Sequence, residues 1–251
     1  KNKTFLKPNT LKLSVFIKKI MRKIIVFLTI FTSILFPNFL SSHVNHYGNL
    51  KSLEYEIYLN NELIGTHVFN FKTDKDKLTV TSKGYFKVKK LGIDLMNYRT
   101  TTQEIYLNGQ LNSFISETFQ NDKRKYVNLK LNNNEKMFDI DGSSFKGRTD
   151  SNNIIGSWWN HEIINKNVQI SAVSGRLLPQ KVKFLGKEKI ILFDRKYNAL
   201  KFHFLSNDNA PLKKKKINFN LWYDAESLLW LKMSYEKLGQ WEYRLKNHVF
   251  F

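Results

Sequence analysis

From residue 50 onward, apolar and polar side chains alternate at every second position. Leu53, Tyr55, Ile57 and Leu59 fall on one side, with Glu54, Glu56 and Tyr58 on the other. That is the pattern of a half-buried strand. Asn60-Asn61-Glu62 reads as a turn, and the chain returns from Leu63 to Phe71. Thr73 to Lys77 reads as a charged loop, and Leu78 to Val88 as a strand with a bulge at Gly84. Asn108-Gly109 follows the Tyr98–Leu107 run; an Asn-Gly pair accepts the positive φ angles of a type I′ hairpin turn. Runs at 111–119, 123–131 and 136–140 continue the meander, with breaks at Asn132-Asn133-Asn134 and Asp141-Gly142. Ser143 to Asn165 has no such rhythm. There Ser151-Asn152-Asn153 is placed to cap a short helix carrying Ile154, Ile155, Trp158 and Trp159. Alternation resumes after Asn167 and is clear in Ile217–Tyr223, Leu229–Tyr235 and Trp241–Leu245. The pattern predicts an all-β fold of roughly twelve to fourteen strands in hairpin order. So large a sheet must curl, giving a large curved antiparallel sheet, an open barrel or half-barrel, with one short helical segment near 151–165.

The start of the chain is different in kind. Residues 21–42 place Arg22 and Lys23 before an apolar run from Ile24 to Phe36, then Pro37-Asn38 and small Ser41-Ser42. This reads as a secretory signal peptide with an N-terminal signal helix, too short to span a bilayer. Residues 1–20 read as upstream sequence or an extended basic region, and 43–251 as a single antiparallel β domain. Export sets the expected location, the periplasm of a Gram-negative bacterium, with membrane contact only through the signal segment before cleavage.

Charge changes the picture less than its total suggests. Residues 1–42 hold eight of the 41 Lys+Arg and no acid, leaving 33 bases against 21 acids. Lysine dominates and is spread along the alternating runs, whereas nucleic-acid recognition favours clustered arginine; no nucleic-acid partner is expected. The one run, Lys213 to Lys216, reads first as a solvated turn and second as a contact for anionic headgroups. No cysteine is present. Disulfides, thiolate zinc and a lipid-anchored N-terminal cysteine are therefore excluded.

The densest group of unusual residues is Ser157-Trp158-Trp159-Asn160-His161-Glu162. Indole faces beside polar edges suit a sugar or lipid, and the competing reading is a plug sealing one end of the sheet. Trp158, Trp159, Asn160 and His161, with Trp222 and Tyr223, are the candidate ligand-binding residues. Asp224 reads as a turn former, His67 as a strand histidine, and Ser174 lacks a nucleophile elbow. Glu104 and Glu117 flank one hairpin, with exposed faces the default for glutamate. No catalytic set, metal site or cofactor motif emerges.

The chain resembles an exported bacterial family, domain of unknown function 6134. The likeness rests on Tyr55–Leu59, Ile64-Gly65-Thr66-His67-Val68-Phe69, Tyr98-Arg99 with Glu104, Trp158-Trp159-Asn160, Ser174-Gly175 and Leu221-Trp222-Tyr223-Asp224. The resemblance implies a signal peptide and an all-β fold and carries over no catalytic residue. The hairpin order is also similar to the curved sheets of periplasmic lipoprotein carriers. The reading favoured by the sequence is a non-enzymatic envelope protein. It would hold a hydrophobic or amphipathic ligand on the concave face; an inner face filled solid by side chains would exclude it. One alternative is an enzyme acting on envelope glycans or lipids through Glu104, His161 or Asp224. Another is an outer-membrane β-barrel.

Overall fold

The computed structural model describes residues 46–251 except Leu91, with Lys90 and Lys213 described by backbone only. The signal segment read at 21–42, and residues 1–20 before it, lie outside the described residues. Fifteen strands follow one another. The first eight are β1 (Leu50–Leu59), β2 (Glu62–Asp74), β3 (Lys77–Lys90), β4 (Ile93–Leu107), β5 (Gln110–Gln120), β6 (Lys123–Asn132), β7 (Met137–Gly142) and β8 (Phe145–Asp150). The rest are β9 (Ile154–Ile155), β10 (Val168–Ile170), β11 (Leu177–Leu192), β12 (Arg195–Ser206), β13 (Asn218–Asp224), β14 (Trp230–Glu236) and β15 (Gln240–Phe250). They form one sheet in the order β8-β7-β6-β5-β4-β3-β2-β1-β15-β14-β13-β12-β11-β10-β9. Every neighbouring pair is antiparallel except β9 with β10. The sheet is a large open one, and its two ends, β8 and β9, are its edges.

Alternation fixes which face is inner. Leu53, Tyr55 and Ile57 are all at most 1% exposed, and across the ladder they meet Phe69, His67 and Gly65. The inner row continues outward as Phe86, Gly84, Ser82 and Val80 on β3, then Tyr98, Thr100, Thr102, Glu104 and Tyr106 on β4. On the other wing it runs through Tyr243, Met233, Leu221, Phe202 and Phe204. Curling brings the wings together through the loop 171–176. Ser116 Oγ donates to the Ala172 carbonyl (2.5 Å) and the Ser144 amide to that of Ser174 (3.0 Å). A Cβ on Gly142 would stand 2.7 Å from the Ser174 carbonyl oxygen, so this contact needs glycine.

The turns follow the chain's chemistry. Asn60 and Asn61 carry φ of 51° and 67°, and Asn108 and Gly109 carry 48° and 76°, as type I′ turns require. Two local expectations are corrected. Gly84 pairs in register with His67 and Thr100, and the β3 irregularity lies at Val88/Lys89 instead. Gly84 is small because the His67 ring covers it, 3.2 Å from where a Cβ would sit. The helix expected from 151 begins ten residues later: Ile154 and Ile155 pair in parallel with Gln169 and Ile170, and only His161–Asn165 coils, as a 3₁₀ turn. Two β-branched residues with a strand available to pair with favour a ladder over a helix nucleus.

Gly65 is the tightest point of the sheet. A Cβ there would lie 2.0 Å from the Tyr85 carbonyl oxygen and 2.5 Å from Phe86 Cβ. Gly65→Ala is expected to cost about 2–3 kcal/mol, the upper range for overpacking. The expected reading is a lower urea midpoint with an unchanged slope.

Candidate functional site

Residues 154–165 fill one half of the curl. Asn160 caps the 3₁₀ turn, its Oδ1 accepting the Glu162 amide at 3.1 Å. Trp159 is fully buried, its ring 5.2 Å from Tyr47, 5.2 Å from Phe71 and 5.7 Å from Tyr106. Its Nε1 donates to Glu104 Oε1 at 2.9 Å, and Tyr106 Oη donates to Glu104 Oε2 at 2.6 Å. Glu104 is therefore an inner, wholly buried carboxyl, contrary to the exposed position expected of it. Desolvation pushes its pKa up, against the pull of those two donors. His161 Nδ1 meets Tyr47 Oη at 2.7 Å. Burial lifts the Tyr47 phenol well above its ordinary range, so the pair holds a neutral phenol and not an activated oxyanion. Trp159, Asn160 and His161 are thus brought together, as the plug of the sheet.

Trp158 faces the other way. Its φ is 58°, a conformation costing roughly 1–2 kcal/mol for a residue with a Cβ. Tyr223 supports it, donating from Oη to the Trp158 carbonyl at 2.8 Å. The strained backbone turns the half-buried indole toward Phe219, Trp230 and Tyr243, at 5.2, 5.5 and 5.9 Å between centroids. Such strain, held in place by a dedicated hydrogen bond, is characteristic of positions that serve something besides packing.

Beyond Trp158 the inner face carries a second apolar cluster, Ile57, Phe86 and Trp241, with Tyr98, Tyr235 and Tyr243 packed against it. One wall is aromatic: Trp158, Phe219, Phe202, Tyr235 and Tyr243 each keep part of their surface exposed. The inner row on β2 to β5 is hydroxylic, with Ser82, Thr100 and Thr118 buried and Thr102 partly exposed. His67 Nε2 meets Ser82 Oγ at 3.1 Å, Ser82 Oγ meets Thr102 Oγ1 at 2.8 Å, and Thr100 Oγ1 meets Thr118 Oγ1 at 2.8 Å. Burial lowers the His67 pKa to about 4, so the imidazole is neutral near pH 7 and adds no charge to this row. Lys125, half-buried on the same face near the β5–β6 turn, bonds Gln120 Oε1 at 2.9 Å. The arrangement offers flat apolar surface beside rotatable donor–acceptor groups. It offers no activated nucleophile and no paired acid and base.

The remaining candidates lie elsewhere. Trp222 is on the opposite face of β13 from Leu221 and Tyr223, between Lys201 and Lys232, each within about 5 Å of its ring. Tyr223 serves the site by holding Trp158. Asp224 Oδ2 accepts from the Ser227 amide and hydroxyl, at 2.9 and 2.8 Å, and organises its turn. Glu117 is on the outer face with Arg124, opposite in facing to Glu104. An outer depression of roughly 630 Å³ between β5 and β8 is lined by Ile115, Lys130, Asp139 and Arg148 among others. Its Arg148 is already committed to Asp139 and Glu135. Among the described residues no group of three or more His, Asp or Glu is placed to hold a metal ion.

Comparison with known proteins agrees on the fold. The family described as Domain of unknown function (DUF6134) matches residues 55–246, and the chain belongs to that family. A solved structure, the beta-barrel-like protein of Domain of Unknown Function DUF1849 from Brucella abortus, is similar with a TM-score of 0.56 at 10% identity. The match covers 80% of this chain and 98% of that one. No curated protein matches the sequence.

Proposed function

We propose that this DUF6134 protein is a non-enzymatic carrier or receptor, exported to the periplasm, that holds a hydrophobic or amphipathic envelope ligand on the inner face of its curved sheet, beside Trp158 and Thr102. The observation that carries the proposal is the division of the inner face: a partly exposed aromatic wall around Trp158 and a Ser/Thr row around Thr102. An apolar body fits the first and a hydroxyl or carbonyl the second. The same geometry speaks against chemistry at Glu104 and His161. Both lie within the packed half, where Trp159 and Tyr47 occupy the space a substrate would need. The outer-membrane alternative gains nothing from a sheet with two open edges and ion pairs such as Lys232–Glu242 and Lys246–Glu56 on its outer face, since a spanning barrel closes its edges and presents apolar side chains to lipid.

The probe for this reading is N-phenyl-1-naphthylamine, whose fluorescence rises in apolar sites. The wild type is expected to bind it saturably. Thr102→Trp, which fills the space beside the Ser/Thr row, is expected to weaken binding by about tenfold or more, equivalent to roughly 1.4 kcal/mol. Trp158→Ala removes the aromatic floor and should weaken it too, from another element. No saturable binding by the wild type, or equal binding by both folded variants, overturns the proposal.

A further inference from the structure

In a meander, alternate turns collect at the same end of the sheet. The β1–β2, β3–β4, β5–β6, β12–β13 and β14–β15 connections therefore share one end. That end carries exposed apolar tips on several connections. The β3–β4 hairpin stands clear of its neighbours: the β2–β3 ladder stops at Gly65–Phe86 and the β4–β5 ladder at Tyr98–Gln120. Its projecting residues include Ile93 at 66% and Leu95 at 53% exposed. Leu238, in the β14–β15 turn, is 97% exposed, and Leu212, in the β12–β13 connection, is 59%. Four large aliphatic side chains on three separate connections thus point into solvent at one end. Exposed apolar residues also occur toward the opposite end, where Ile191, Phe193 and Phe251 are 66%, 40% and 73% exposed; the four tips here are read together with the charges beside them.

Cations surround them. Segment 87–97 holds three lysines against Asp94, and segment 207–217 holds four against Asp208. Asp94 pairs with Lys87 at 2.7 Å, and Asp208 with Lys215 at 2.9 Å. Lys214 and Lys216 stay exposed beside Leu212, and Lys237 beside Leu238. Apolar tips ringed by lysine match an interface whose outer layer is anionic and whose next layer is hydrocarbon. We propose that this end of the sheet docks on an anionic lipid bilayer, with Ile93, Leu95, Leu212 and Leu238 entering the headgroup region and the lysines meeting lipid phosphates. The inference stands apart from the ligand reading, because it rests on the rim and not on the inner face.

The test is co-sedimentation of the purified protein with vesicles of phosphatidylethanolamine and phosphatidylglycerol, three to one, against phosphatidylcholine alone. Expected are binding to the anionic vesicles only and loss of binding as salt rises toward about 0.5 M. Ile93→Glu/Leu95→Glu/Leu238→Glu should bind roughly tenfold or more weakly, and Lys214→Glu/Lys216→Glu, on a different connection, several-fold more weakly. Phe193→Glu, at the opposite end of the sheet, should bind as the wild type does. Three results overturn the proposal: no wild-type binding to anionic vesicles; an equal loss in Phe193→Glu; or unchanged vesicle binding by the triple variant, for instance if its effect is to split a dimer instead.

Discussion

Replacing Trp159 by alanine is expected to destabilise the protein by about 4–5 kcal/mol, the upper range for emptying a core of an aromatic side chain. Two costs combine. The indole fills the space between Tyr47, Phe71 and Tyr106, and its Nε1–H is one of two donors to the Glu104 carboxyl. A loss of this size approaches the whole stability of many domains. Trp159→Phe separates the two costs. It retains most of the packing and removes the donor, so about 1–3 kcal/mol is expected. Trp158→Ala is the control from the adjacent position. That side chain is half-buried and its backbone is held at φ 58°, so relief of strain offsets part of the lost packing and about 1–2 kcal/mol is expected. Guanidinium unfolding of the three variants checks the order. A Trp158 variant as unstable as Trp159→Ala would show that both tryptophans belong to the plug, and would remove the distinction on which the proposed site depends.

That distinction was only partly legible in the sequence. Alternation located the strands and the Asn-rich turns, because period two and positive φ are local properties. It also held the signal for the inner hydroxyl wall. Tyr98, Thr100, Thr102, Glu104 and Tyr106 share one parity, and both ends of that row are aromatic. Thr100-Thr101-Thr102 hides the signal, since threonine suits either face. Trp222 and Tyr223 are adjacent in a strand and so must face opposite ways; grouping them as one site ignored the pleat. Residues 151–165 were beyond local reading. Whether Ile154-Ile155 coils or pairs depends on β10, which follows them in the chain, and the turning of Trp159 toward Tyr47 and of Trp158 toward Trp230 is set by Tyr47, Glu104 and Tyr223, all distant in the chain. The segments Tyr98–Glu104, Trp158–Asn160, Ser174-Gly175 and Leu221–Asp224 supply several of these contacts. They hold the plug and close the curl.

Glu104→Ala is expected to cost about 4 kcal/mol at neutral pH, whereas Glu104→Gln is expected to match or exceed the wild type. Alanine leaves a void and orphans two buried donors, Trp159 Nε1 and Tyr106 Oη, each worth about 1–3 kcal/mol. Glutamine keeps the volume, an oxygen for the indole and an amide that the Tyr106 hydroxyl can accept from once it rotates. The difference between the wild type and Glu104→Gln should also depend on pH in one direction. Desolvation raises the Glu104 pKa in the folded protein above its ordinary 4.5. The folded state then keeps a proton that the unfolded chain releases, so this group's contribution is complete below pH 4.5 and declines as pH rises through the folded pKa. His67 acts with the opposite sign. Its folded pKa of about 4 lies below the ordinary 6.5, so the unfolded chain binds the extra proton and stability is lost as pH falls from 6.5 toward 4. The two windows overlap above pH 4.5, and a single stability curve would blend them. Subtracting the curve of Glu104→Gln from that of the wild type removes the His67 part, since both proteins carry it. The residual should fall steadily above pH 4.5. A flat residual would mean that folding leaves the proton affinity of Glu104 unchanged, and a rising one that the carboxylate is matched in the core by a positive charge; either would remove the desolvated carboxyl at the root of the plug.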